Sequence, residues 1–290
     1  MSDVSVVVVS YNSRRDLERS LPYVAGRGDD VVVVDNASAD GSPEFVRSHF
    51  PGVRVVELRE NLGYGGACNE GLRVARTPYV LLLNPDAWPV GDSLNRLVEC
   101  ARRRGLGAVA PQLHDLHGRR QPSAMGFPTR WWLGAPAVTS APTRLPRRRR
   151  DVEPADGFLV GAALLVEKDA IRGVGGFDSG FFMFYEEVDL CRRLLDAGWR
   201  LGVCTDATFV HMGGTATRRD WPRMYREQLR GHLRFLAKHE GIEAAETARR
   251  HLGRVLRLRV LVAHGTERRA YTEAVTWLAS ASAGNLIESA

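Results

Sequence analysis

Two carboxylates stand at the ends of apolar runs, where they could meet a ligand. Val31-Val32-Val33-Val34 ends in Asp35-Asn36, and Leu81-Leu82-Leu83 ends in Asn84-Pro85-Asp86. Each run has the length of a buried strand and is too short for most helices. Each delivers an Asp to a strand's carboxyl end, where open parallel sheets bind ligands. Two such acids, separated by further helix and strand, point to a nucleotide site with a metal. Asp35 can accept a hydrogen bond from a base N–H or a ribose hydroxyl; the same Asp-Asn-Ala-Ser turn would also suit a helix cap. Asp86 offers a hard oxygen ligand and Asn84 a neutral amide oxygen. Mg2+ commonly takes one or two carboxylates, with substrate phosphates and water completing the shell. The plainer reading of Asn84-Pro85-Asp86 is an Asx-Pro turn with an exposed Asp.

Three further segments carry chemistry. Asn61-Leu62-Gly63-Tyr64-Gly65-Gly66 follows a strand and opens a helix. Its glycines allow close backbone approach, and a helix N-terminus attracts phosphate; a plain strand-to-helix turn reads the same way. Phe181-Phe182-Met183-Phe184-Tyr185 runs into Glu186-Glu187. A carboxylate against aromatic walls is partly desolvated, which raises its pKa and suits it to general-base work. Acids in a helix's first turn are also favoured by the macrodipole alone. His211 ends a strand and precedes Met212-Gly213-Gly214-Thr215, where it could complete a metal site or bind phosphate. A histidine in isolation is more often structural, and only the preceding motifs lift this one.

The elements that position these residues alternate regularly over the first 110 residues. Strands are expected at Val4–Val9, Val31–Val34, Val53–Leu58, Tyr79–Leu83 and Gly107–Ala110. Between them come helices capped by Ser13, started by Ser42-Pro43, running Gly66–Ala75, and capped by Asp92. Such β-α-β-α repetition argues an α/β, doubly wound, mostly parallel sheet. Residues 112–156 hold Pro122, Pro128, Pro136, Pro142, Pro146 and Pro154 and read as a long Pro/Arg-rich loop or lid. Gly157–Val166 reads as one strand. A helix with the stripe Val188, Cys191, Leu194 and Leu195 follows, ended by Gly198. Leu201–Val203 and Thr208–Val210 read as two short strands. From Trp221 the pattern is helical, with Tyr225, Leu229, Leu233 and Leu236 on one face.

Composition bounds the rest. The chain has 290 residues, 44% hydrophobic and 26% charged, enough for a sizeable core. No apolar run approaches the ~20 residues of a membrane span, and Val4 to Val9 does not read as a signal peptide. Cys68, Cys100, Cys191 and Cys204 lack CxxC spacing, which argues against structural zinc and a disulfide framework. The first strand leads into Ser10-Tyr11-Asn12, without the GxGxxG of dinucleotide binders, which counts against an NAD enzyme. The net charge is +6. Residues 218–269 carry 14 Arg/Lys against 6 Asp/Glu. Attraction to phosphates or anionic lipid explains that excess; genomic bias toward Arg explains it equally.

Taken in order, the motifs resemble the GT-A, family 2 glycosyltransferases, most closely the bacterial rhamnosyltransferase-like branch. The likeness covers Val4 to Gly241. It rests on Val8-Val9-Ser10-Tyr11-Asn12, Val34-Asp35-Asn36-Ala37-Ser38, Asn61 to Gly66, Leu83-Asn84-Pro85-Asp86, Gly176-Phe177-Asp178, Phe181 to Leu190, and His211 with its glycines. The resemblance implies a Rossmann-like sheet with C-terminal helices. It divides the chain into a nucleotide-sugar half (1–111), the loop or lid (112–156), an acceptor and catalytic half (157–220) and a basic helical segment (221–290).

The resemblance also implies roles. The donor site would hold Tyr11, Asn12, Asp35, Asn36, Asn61, Gly65, Asn84 and Asp86. Asp86 and His211 would hold Mg2+ or Mn2+. Asp178 and Gly161 would lie on the acceptor side. Glu187 would be the base, with Glu186 beside it. Two departures stand out: Asn84 replaces the first Asp of Asp-x-Asp, and the acidic pair is Glu-Glu where Glu/Asp-Asp is usual, which leaves open which of the two reaches the acceptor. The expected reaction is inverting transfer from a nucleoside-diphosphate sugar, dTDP-L-rhamnose being favoured and a UDP-sugar the alternative. The acceptor would be a sugar, a lipid-linked sugar or a small molecule. A non-catalytic nucleotide-binding protein of the same fold is the remaining reading. No nucleic acid is expected as a partner. The expected location is the cytoplasm, with peripheral contact at the membrane's inner face as a further expectation.

Overall fold

A computed structural model describes residues 3–26, 29–132, 151–213 and 220–288. Residues 133–150 of the proline- and arginine-rich stretch, and Gly214-Thr215 of the His211 motif, lie outside the described residues. The described residues fall into two compact units. The first takes residues 3–126, 151–180 and 187–213; the second takes 127–132, 181–186 and 220–288.

The first unit is built on a sheet of nine strands. Four parallel strands form its early half: β1 (Val4–Ser10), β2 (Asp30–Asp35), β3 (Arg54–Glu57) and β4 (Tyr79–Leu83), in the order β3-β2-β1-β4. The valines and leucines of β1, β2 and β4 are buried on both faces, as parallel strands covered on both sides must be; Val55 and Val56 of the edge strand β3 are half-buried. The helices α1 (Arg14–Ser20), α2 (Pro22–Ala25), α3 (Ser42–His49) and α4 (Gly63–Val74) come between them in sequence. Pro22 begins α2, so the helix expected after Ser13 is two short pieces. Gly71 lets α4 approach the sheet: a Cβ there would stand 2.2 Å from Val7 Cγ1.

The later half corrects several expectations. Beyond β4 the order continues β10-β6-β11-β5. β6 (Leu106–His114) runs on past the expected Ala110. β10 (Ala163–Glu167) lies between β4 and β6 and is antiparallel to both. The sheet is therefore mixed, because helix–strand alternation reports order along the chain and not strand direction. Gly157–Val166 is not one strand. β9 (Phe158–Leu159) pairs with β7 (Ala124–Met125) in a separate two-stranded sheet, and the chain turns through Gly161 before β10 begins. The two strands expected after Arg200 are one, β11 (Arg200–His211), kept continuous by a bulge between Cys204 and Thr208. The short edge strand β5 (Ala87–Pro89) was not foreseen; it pairs antiparallel with β11. Within 112–156, the described residues carry the end of β6, a turn at Asp115–Gly118, β7, and β8 (Val152–Pro154), which pairs with β11. Their partners are distant in sequence, so local composition hid them.

Caps also differ. Neither Ser13 nor Asp92 makes a side-chain cap. Asp40, not Ser42, accepts from the Ser42 N–H (3.1 Å) at the start of α3. Helix α5 (Ser93–Arg104) ends at Gly105 in a left-handed turn. Helix α6 (Lys168–Gly173) follows β10, and α7 (Glu186–Asp196) carries Val188, Cys191 and Leu194 inward as expected, with Leu190 added. All four cysteines are buried and free.

The second unit is helical: α8 (Trp221–Glu240), α9 (Ile242–Val262), α10 (Gly265–Ser280) and α11 (Ala283–Glu288). Tyr225, Leu229, Leu233 and Leu236 are fully buried, as their spacing predicts, and Leu252, Leu256, Ala270 and Leu278 complete the core.

Candidate active site

The strand ends bring the first group of residues together. At the end of β1, Asn12 adopts a left-handed conformation (φ 50°) and links to the end of β2: its N–H donates to Ser38 Oγ (2.9 Å), and its Oδ1 accepts from Ala39 N (2.8 Å). Ala37 is left-handed too (φ 64°). Such backbone persists only where the surroundings fix it. Tyr11 stands half-exposed beside this turn. Asp35 is buried. Its Oδ2 accepts from Ser38 N (2.9 Å), while its Oδ1 has no hydrogen-bond partner among the described residues. Burial raises its pKa, and the Ser38 hydrogen bonds oppose that rise. A buried carboxylate oxygen without a donor is costly, and this one is able to accept an N–H or O–H.

Asn36 and Asn61 serve the backbone. Asn36 Nδ2 donates to Asn61 Oδ1 (2.9 Å) and Gly63 O (3.1 Å), while Asn36 Oδ1 accepts from Leu62 N (2.8 Å). Asn61 Oδ1 also accepts from Gly63 N (2.9 Å). Together they fix the start of α4, which opens at Gly63 and not at Gly66. Gly65 is thus its third residue, among the N–H groups without an intrahelical partner.

Asp86 and His211 are neighbours although far apart in sequence. His211 Nε2 stands 3.7 Å from Asp86 Oδ1. Asp86 Oδ2 accepts from Gly213 N (3.2 Å), and Asp86 O accepts from Met212 N (3.1 Å). Asn84 ties the end of β4 to the chain before β10 through its N–H and Ala162 O (2.9 Å). Sequence reading missed Gln121. Its Nε2 donates to His211 O (3.0 Å), which turns its Oε1 toward His211 Nδ1 (2.9 Å). This amide orientation assigns the proton to Nδ1 and a lone pair to Nε2. Burial lowers the pKa of His211, and Asp86 opposes that effect. A lone pair facing a carboxylate can share a cation with it. No third His, Cys, Asp or Glu joins the pair among the described residues. The donor set fits a hard divalent ion that draws its other ligands from phosphate and water.

The residues expected on the acceptor side converge on α4. Tyr64 Oη donates to Gly161 O (3.2 Å), and the Glu187 side chain packs over Gly161, its Cγ 3.5 Å from where a Cβ would stand. Asn69, also missed, clamps Phe177: Asn69 Nδ2 donates to Phe177 O and Phe177 N donates to Asn69 Oδ1, both at 2.9 Å. Asp178 turns back on its own loop, accepting from Gly180 N (2.8 Å). Asp189, buried in α7, pairs with Arg193 (2.7 Å). Glu186 is buried at the start of α7.

The aromatic run before Glu186 belongs to the second unit. Arg234 and Lys238 lie over the Phe181 ring, 5.4 and 5.9 Å from its centroid. Phe184 and Tyr185 are both left-handed (φ 67° and 72°), and Tyr185 Oη meets His232 Nδ1 at 3.1 Å. Gly231 makes room: a Cβ there would stand 2.8 Å from Phe184 O.

A mixed sheet flanked by helices, with acids at the ends of its strands, is the GT-A fold. The chain belongs to glycosyl transferase family 2, whose profile matches residues 5–171, and it is a glycosyltransferase. It is 35% identical over 245 residues to N-acetylglucosaminyl-diphospho-decaprenol L-rhamnosyltransferase of Mycobacterium tuberculosis, covering 76% of this chain and 80% of that one. It is 28% identical over 177 residues to rhamnosyltransferase WbbL of Escherichia coli K12, covering 58% and 65%. Among solved structures, mannosyltransferase PcManGT from Pyrobaculum calidifontis, in complex with GDP-Man and Mn2+, superposes with a TM-score of 0.58 at 19% identity. That likeness covers 98% of this chain and 85% of that one and shows the fold.

Proposed function

We propose that the chain is an inverting rhamnosyltransferase that takes L-rhamnose from dTDP-L-rhamnose to a hydroxyl of a lipid-linked, diphosphate-bearing acceptor sugar. The observation that carries the chemistry is the Asp86–His211 pair, 3.7 Å apart at the carboxyl edge of the sheet. The rhamnosyltransferase relative supports the choice of donor and acceptor class.

In this reading Asp35 accepts the base N–H through the oxygen that has no protein donor. The first N–H groups of α4, held by Asn36 and Asn61, face negative charge. Tyr11 and Asn12 border the nucleoside, and Asn84 orients the turn that presents Asp86. Asp86 and His211 would hold Mg2+ or Mn2+, which when bound supplies neutralising charge for the departing diphosphate. Glu187 takes the proton from the acceptor hydroxyl, and that oxygen attacks the anomeric carbon from the face opposite the diphosphate. Gly161 and Asp178 border the acceptor.

The test is direct. Purified protein with Mg2+ or Mn2+, dTDP-L-rhamnose and a polyprenyl-diphosphate N-acetylglucosamine acceptor should give a product heavier by one deoxyhexose. Transfer from UDP-sugars but not from dTDP-rhamnose would overturn the donor. Full turnover in EDTA would overturn the metal.

A further inference from the structure

Helix α9 carries a surface that the transfer chemistry does not use. Between Glu246 and Glu267 the chain has no acidic residue, yet it holds Arg249, Arg250, Arg254, Arg257 and Arg259. Arg250, Arg254, Arg257, Leu258 and Leu261 recur at helical spacing on one face, with Val262 adjoining. Arg249 is engaged by Glu246 (2.6 Å) and by the Leu278 carbonyl. Arg254 and Arg257 are exposed, and neither has an acidic or hydrogen-bonding partner among the described residues. With Arg249 and Arg250 they line a shallow concavity of about 170 Å³ whose apolar side is Val275 and Leu278.

Further along the same face the character changes. Leu258, Leu261 and Val262 are 68%, 78% and 73% exposed. Single exposed apolar residues are ordinary, but a cluster of them beside unpaired cations is not. A stripe that passes from arginines to bare aliphatic side chains matches helices that lie in a membrane interface, where cations meet phosphate head groups and aliphatic chains enter the acyl boundary. No helix among the described residues is long and apolar enough to cross a bilayer, so the contact would be at the surface.

We infer that this face of α9 docks the protein on a bilayer containing anionic phospholipid, with Arg250, Arg254 and Arg257 on the head groups and Leu258, Leu261 and Val262 inserted. The inference rests on the reading that the acceptor is lipid-linked: an enzyme held at that surface meets an acceptor confined to it. Charge complementarity selects the bilayer over a second copy of the chain, since two such faces would oppose arginine to arginine.

The experiment uses the full chain and two paired variants, R254E/R257E and L258N/L261N. All four positions are exposed, so both variants should keep the wild-type circular dichroism spectrum. Vesicles of phosphatidylcholine containing phosphatidylglycerol should sediment the wild type at low salt, less so as salt rises, while phosphatidylcholine alone should not. Each arginine near an anionic surface contributes roughly fivefold in partition, so R254E/R257E should lose at least about tenfold. L258N/L261N should lose the part of binding that survives high salt. Equal partition of wild type and R254E/R257E would overturn the inference. So would a wild-type dimer, seen by light scattering, that L258N/L261N abolishes without change in vesicle binding. Sedimentation needs no sugar transfer. Failed transfer with intact vesicle binding would therefore strike the proposed function alone, and transfer to a detergent-dispersed acceptor should be the same in all three proteins.

Discussion

At the scale of single residues, Asp86 stands against His211, and Gln121 holds His211 in turn. Asp35 and Asp86 could be picked out because each follows an apolar run of strand length, and Glu187 because it lies in the first turn of an amphipathic helix. Gln121 could not be read: it reaches His211 across 90 positions, from a segment whose prolines suggested a long loop or lid. Its role makes a distinct prediction. Gln121→Leu removes the acceptor on Nδ1 and frees the imidazole to present either nitrogen. Partners of this kind are typically worth ~10–100-fold in metal affinity. Mn2+ binding in the presence of dTDP, followed by electron paramagnetic resonance, should weaken by about that factor, and excess metal should restore much of the activity. Unchanged Mn2+ affinity would remove Gln121 from the site. The second residue-scale prediction concerns the base. Glu187 packs over Gly161, whose carbonyl is held by Tyr64. Glu187→Gln should cost ~10²–10⁴-fold in transfer rate, with little change in dTDP affinity by calorimetry, and Glu186→Gln should cost less. The reverse ranking would move the base by one residue.

At the scale of elements, the early strands and the helix faces were readable because burial on both sides and helical spacing leave local patterns. Strand direction leaves none, so nothing local told that β10 runs antiparallel to both its neighbours. The Phe184-Tyr185 turn was equally hidden. Its left-handed backbone is imposed from outside, by α8, where Gly231 admits the Phe184 carbonyl and His232 meets the Tyr185 hydroxyl. This turn runs directly into Glu186 and Glu187. Gly231→Ala would place a methyl 2.8 Å from a backbone oxygen in a segment with little freedom to move. Overpacking of this kind costs ~1–3 kcal/mol, so the midpoint of urea unfolding should fall, and kcat should fall with it. Gly253→Ala in α9 is the control: a Cβ there meets nothing within 4 Å, and helix propensity should make the change neutral or stabilising by up to ~1 kcal/mol. Equal destabilisation by both would mean that the close approach at Gly231 is not what matters.

At the scale of the whole molecule, Asp35, the Asp86–His211 pair and Glu187 all fall in the first unit, and the basic, partly apolar face of α9 falls in the second. The second unit's excess of arginine was visible in the sequence, but composition alone did not distinguish function from bias; the exposed leucines beside unpaired guanidinium groups supply the distinction. The second unit also holds a buried titratable group with a consequence for stability. His232 is fully buried, its ring centroid 4.9 Å from that of Trp132, and burial pushes its pKa down to about 3. In the unfolded chain a histidine titrates near ~6.5. Between these values the unfolded state holds a proton that the folded state does not. The neutral histidine therefore costs nothing above about pH 6.5, and stability is lost as the pH falls from there toward 3, at a slope approaching ~1.4 kcal/mol per pH unit. His232→Gln keeps a polar partner for Tyr185 and removes the titration. Unfolding free energies of the two proteins should differ by a constant amount near neutral pH. Below about pH 6 the wild type's advantage should shrink as the pH falls, and it should reverse if the glutamine is well accommodated. A difference that stays constant down to pH 4 would show that His232 takes up its proton in the folded protein.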